Sequence, residues 1–108
     1  MIRHVVLFSF KTTAEREEVM AVEAAFAQLP QQIDLIRAYE WGTNVSPEGI
    51  DQGFTHCFLL TFTSAVDRDA YLVHPAHQAF VASLQPVLEK ALVIDYWAAT
   101  SPLATRNS

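Results

Sequence analysis

Apolar and polar positions alternate along 2–10 (I-R-H-V-V-L-F-S-F) with the period of two that marks a β-strand. Ile2, His4, Val6, Phe8 and Phe10 share one face, and Arg3, Val5, Leu7 and Ser9 the other. Both faces carry large apolar groups, so this strand needs cover on both sides. The period then lengthens. Thr12 and Glu15 have capping-box spacing, and Val19, Val22, Phe26 and Leu29 recur at helical spacing, which predicts a helix from Thr12 to about Leu29. Pro30 should bar its continuation, and Glu15, Glu17, Glu18 and Glu23 form its solvated face. A second strand is predicted over 33–41, where Leu35, Arg37, Tyr39 and Trp41 alternate against Ile36, Ala38 and Glu40, with Gly42 as its end. Residues 43–53 concentrate turn formers and read as a long surface loop. The third strand, 54–63, sets Phe54, His56, Phe58, Leu60 and Phe62 on one face and Thr55, Cys57, Leu59, Thr61 and Thr63 on the other.

Ser64 and Asp67 mark a second helix entry, and that helix should stop near His74, because Pro75 disfavours the α region for the residue before it. A new helix then begins at Pro75, with His77, Phe80, Leu84 and Val87 on one stripe, so His77 is expected to face the core. His77 falls in the first turn, where unpaired N–H groups and the helix dipole favour a neutral ring able to accept a proton. Tyr71 lies across the break and can donate a phenolic hydrogen bond, while His74 suits a cap. Pro86 should kink the helix late, and Lys90 suits its final turn. The last strand covers about 92–97, with Asp95 either a partner for a cation or a solvated strand end.

Four strands and two helical layers in the order β, α, β, loop, β, broken α, β define an α+β fold: a ferredoxin-like four-stranded antiparallel sheet with both helical layers on one face. The other face would expose Val5, Leu7, Tyr39, Trp41 and Leu59, and a second copy of the chain covers it most economically by two-fold symmetry. His4 and His56 are expected near the starts of strands one and three, two central strands taken as parallel to each other. With His77 they would meet beside Phe8, Phe26, Phe58 and Phe80, around a pocket that holds a small ligand and moves one of its protons. A divalent metal at His4, His56 and His77 is the weaker alternative, since no carboxylate is spaced to help; no metal or organic cofactor is expected.

Composition narrows the partners. A 108-residue chain that is 51% hydrophobic and 18% charged is one packed domain, here taken as 1–98 with a mobile tail over 99–108. A net charge of −5 with seven Lys and Arg leaves no basic stripe for nucleic acid or anionic membrane, and no segment has the length of a membrane span. The single cysteine, Cys57, excludes an intramolecular disulfide, reads as a small apolar filler within a strand, and is compatible with a reducing compartment; with no membrane span or secretory cleavage pattern, the protein is expected in the cytoplasm.

The opening H-V-V-L-F-S-F, the G-F-T-H leading to Phe62, the Y-L-V-H-P-A-H-Q-A-F block and the closing V-I-D-Y resemble the stress-responsive dimeric α/β-barrel (Dabb) family over 1–97. That resemblance implies a homodimer whose two sheets close into a barrel. In a characterised plant cyclase of the family, the histidine ending H-P-A-H is the general base and a tyrosine six residues earlier orients the substrate. The matching positions here are His77 and Tyr71, and His4 and His56 match pocket histidines. The implied function is a small-molecule-binding stress-response protein, a cyclase or isomerase acting on a carbonyl ligand; the alternative is a non-catalytic ligand-binding or stress-protective homodimer.

Overall fold

The computed structural model describes residues 1–99, so the tail expected over 99–108 lies, apart from its first residue, outside the described residues. The elements follow in order: β1 (Ile2–Phe10), α1 (Arg16–Gln32), β2 (Ala38–Thr43), β3 (His56–Phe62), α2 (Ala65–Leu72), α3 (Pro75–Leu84) and β4 (Leu88–Trp97). They build one four-stranded antiparallel sheet in the order β2-β3-β1-β4. Phe26 and Leu29 of α1, Tyr71 of α2, and Phe80 and Leu84 of α3 are buried together with Val6, Phe8, Phe58 and Leu60 of the sheet, in one core between helices and strands. Among the described residues no helix is long and apolar enough to cross a membrane.

Local chemistry sets the element ends. The α1 capping box is Glu15 with Glu18, not Thr12 with Glu15, so the helix cap lies three residues later than the first spacing implied. Pro30 lies inside α1 because the ladder closes around it: the Ile33 amide still reaches the Leu29 carbonyl at 2.8 Å. The chain therefore enters β2 only at Ala38, with Ile33 and Ile36 buried in the connection. Ser64 caps α2 by accepting from the Asp67 amide at 3.1 Å. Pro86 lies beyond the end of α3 rather than within it, and Lys90 is a strand residue whose Nζ donates to the Gln52 carbonyl.

Register corrects two expectations. β1 and β3 are antiparallel, pairing Ile2 with Phe62 and Phe8 with His56. His4 and His56 consequently sit toward opposite ends of the sheet. The α1 crossover makes β1 and β2 run the same way, with β3 between them in the opposite sense. Tyr39 pairs with Leu60 and Trp41 with Phe58, so both lie on the helix side and not on the open face. Val5, Leu7 and Leu59 are on the open face as expected, joined by Leu92, Ile94 and Tyr96 of β4. All three β4 side chains are exposed. Cys57 is exposed there too, opposite Leu7 and Gly42, and is not a buried filler.

Candidate functional site

The break between α2 and α3 gathers Tyr71, His74 and His77. His74 ends one helix and caps the next: its Nδ1 accepts from the Ala76 amide at 3.0 Å, and Pro75 occupies the first helical position, where a missing N–H costs nothing. The cap bends the chain so that the His77 ring comes back over Tyr71, with ring centres 4.5 Å apart. His77 Nδ1 donates to the Leu72 carbonyl across 3.0 Å. Its Nε2 therefore carries the lone pair. Contrary to the expected burial in the core, His77 is only half-buried.

Tyr71 is 1% exposed and closes the inner side of the group. On its other flank lies His4, ring centre to ring centre 5.7 Å. His4 Nδ1 donates to Asp95 Oδ1 at 2.6 Å, and Arg68 Nη1 donates to Asp95 Oδ2 at 2.7 Å. Asp95 is thus the partner of two donors, which resolves its two readings. The pairing engages His4 Nδ1 and leaves Nε2 out of the contact with Asp95.

Electrostatics tune the group. Desolvation holds the His77 pKa below its ordinary value, opposed by the Leu72 hydrogen bond and reinforced by His4 and His74. The ring is neutral at neutral pH. Burial raises the Tyr71 phenol well above the usual range, with Tyr39 acting in the same direction, so Tyr71 remains a hydrogen-bond donor.

His56 does not join this group. Its Nε2 meets Glu23 Oε2 at 2.7 Å and its Nδ1 meets Thr55 Oγ1 at 2.7 Å, so both ring nitrogens are engaged at the far end of the sheet. Trp41 stacks parallel to it and Phe10 packs edge-on. It ties α1 to β3. Among the described residues no group of three His, Cys, Asp or Glu side chains could hold a metal ion, and the three-histidine set is not assembled. Phe8, Phe26, Phe58 and Phe80 do cluster, but against each other: Phe26 stacks on Phe58 at 4.2 Å and reaches Phe80 at 4.9 Å. They fill the layer between His4 and His56 instead of walling an open space. A concavity of about 600 Å³ lies on the open sheet face beside Val5, Leu7, Cys57 and Leu59.

Glu23 belongs with His56 rather than with the solvated face of α1. Its spacing carried the signal, four residues after Val19 and three before Phe26, on the edge of the buried stripe. Arg68 carried none.

These elements define a class: a ferredoxin-like α+β domain with an apolar uncovered sheet face and a Tyr-His group at a helix break. The Stress responsive A/B Barrel Domain family model matches residues 2–98, and the chain belongs to that family. It is 39% identical over 95 residues to stress-response A/B barrel domain-containing protein HS1 of Arabidopsis thaliana, covering 88% of this chain and 87% of that one. It is 30% identical over 98 residues to olivetolic acid cyclase of Cannabis sativa, covering 88% and 94%. Among solved structures, an Arabidopsis thaliana protein superimposes with a TM-score of 0.88 at 37% identity, covering 95% of this chain and 100% of that one. Hydroxynitrile lyase from Passiflora edulis superimposes at 0.85 with 27% identity, covering 94% and 96%. A Bacteroides fragilis protein described as dimeric and ferredoxin-like gives 0.71 at 28% identity, covering 88% and 93%.

Proposed function

We propose that this chain binds a small, largely apolar carbonyl compound at the α2–α3 break and moves a proton on the carbon beside the carbonyl. His77 Nε2 is the general base, Tyr71 donates to the carbonyl oxygen, and His4 supplies a further polar contact. The observation that carries this reading is the 3.0 Å bond from His77 Nδ1 to Leu72, which leaves the lone pair on Nε2 of a ring whose centre is 4.5 Å from that of Tyr71. A base and an oxygen-holding donor side by side are what enolisation needs: the proton goes to His77, and the charge that builds on oxygen is met by Tyr71. That one relative is named a cyclase and another a lyase supports a reactive site here. His56, with both ring nitrogens engaged, stands outside this chemistry.

We also infer that two copies pair through their open sheet faces. Val5, Leu7, Leu59, Leu92, Ile94 and Tyr96 form a continuous apolar surface there, and a structural neighbour is described as dimeric. The unpaired Cys57 suits a reducing, cytoplasmic setting.

The second reading is a non-catalytic, stress-protective homodimer that holds its ligand on the sheet, favoured by the concavity on the open face. Titration of isotope-labelled protein with butyrophenone separates the two. Amide shifts centred on Tyr71, His77 and His4 support the catalytic site. Shifts centred on Val5, Leu7 and Leu59 support sheet-face binding and overturn it.

A further inference from the structure

Among the described residues, the Tyr39 hydroxyl is the one buried side-chain polar atom with no hydrogen-bond partner. Desolving a hydroxyl without giving it a partner opposes folding, so such a group calls for an explanation. Its position supplies one. Tyr39 lies on the helix side of β2, with its ring against Phe26 at 5.7 Å. Strand register sets Tyr39, Leu60, His4 and Asp95 in a single row across all four strands, on the same face. His4 is therefore two strands away, about 10 Å at the usual strand spacing. Tyr71 packs against His4 at 5.7 Å, on the helix side of the same row. The Tyr39 phenol is also close enough to raise the Tyr71 pKa, and burial pushes its own pKa up to about 12. It stays protonated and can donate.

We infer that Tyr39 is a specificity-determining residue whose hydroxyl binds a second oxygen of the ligand, carbonyl or hydroxyl, while Tyr71 holds the first. This rests on the proposed carbonyl site and narrows its substrate class to compounds with two oxygen functions on one side of an apolar body, within the span of two strands. A ligand with one oxygen leaves Tyr39 unsatisfied, and discrimination follows from that deficit rather than from shape. The hydroxyl has no structural bond to lose, so its removal leaves the unliganded fold intact.

Tyr39→Phe tests the inference, with benzoylacetone and butyrophenone as a pair that differs by one carbonyl oxygen. Calorimetric titration of the wild-type protein is expected to show a preference of about tenfold for benzoylacetone, shrinking to near parity in Y39F. The melting temperature of unliganded Y39F is expected to equal or exceed that of the wild type. Retention of the preference in Y39F overturns the inference alone, and so does a melting temperature several degrees lower, which marks the hydroxyl as structurally bonded. Failure of the wild-type protein to bind either probe overturns the carbonyl site and the role of Tyr39 with it.

Discussion

The 2.6 Å bond from His4 Nδ1 to Asp95 Oδ1 fixes the ring of a nearly sealed histidine that packs edge-on to Tyr71 at 5.7 Å. Asp95 is itself held at 2.7 Å by Arg68, so the carboxylate cannot swing away from the ring. Replacing Asp95 by Asn keeps the shape but swaps an obligate acceptor for a group that can also donate. In Asp95→Asn the His4 ring is expected to lose its fixed Nδ1-protonated tautomer, read from nitrogen–proton correlation spectra of the imidazole. Ketone α-proton exchange should fall about tenfold or more as the tautomer is lost. An unchanged tautomer in the variant removes Asp95 from this role.

His77 sets the acid limit of activity. Its folded pKa is lowered by desolvation, so the basic form persists below the ordinary histidine value of 6.5. The acid limb of the proton-transfer rate is expected to have its midpoint below pH 6.5. Stability follows the same sign. The unfolded chain takes up a proton at the ordinary value while folded His77 does not, so stability is lost as pH falls from about 6.5 toward the lowered folded value. Chemical denaturation of His77→Gln against pH should show a shallower acid decline than the wild type.

The Glu23–His56 pair belongs to the fold. Glu23→Ala leaves a buried imidazole nitrogen without its partner and should cost about 1–3 kcal/mol in urea denaturation. Ketone exchange by the folded fraction should not change. A large loss of exchange at unaltered stability would return His56 to the site.

On the open face, Ile94 is opposite Val5 and 54% exposed in the single chain. A charge there cannot be solvated between two sheets. Ile94→Asp is expected to shift sedimentation from dimer to monomer, and a wild-type monomer at micromolar concentration contradicts pairing through this face.

Much of the fold was legible because its signals are local. The alternation over 2–10 returned β1 residue for residue, and Pro75 placed the α2–α3 junction where the backbone restrictions of proline require it. Tyr71 and His77 became neighbours for the same reason, since six residues across a capped break are a short-range matter. What failed was long-range. The direction of β3 relative to β1 depends on how α1 crosses the sheet, and that single choice placed His56 opposite Phe8, four residues along β1 from His4. The face assigned to Tyr39 and Trp41 failed because β2 pairs only from Ala38, a register that depends on how 33–37 pack and not on alternation within the strand. Arg68 on Asp95 joins α2 to β4, and neither residue's neighbours in sequence hint at the other.

The most direct measurement is hydrogen–deuterium exchange at the α-carbon of butyrophenone in deuterated buffer near neutral pH, followed by proton NMR. The wild-type protein should accelerate exchange above buffer, Tyr71→Phe should retain about a hundredth of that rate, and His77→Ala should fall to the buffer rate with its melting temperature preserved. Acceleration that survives intact in His77→Ala, or its absence in the wild-type protein, contradicts proton transfer at the α2–α3 break.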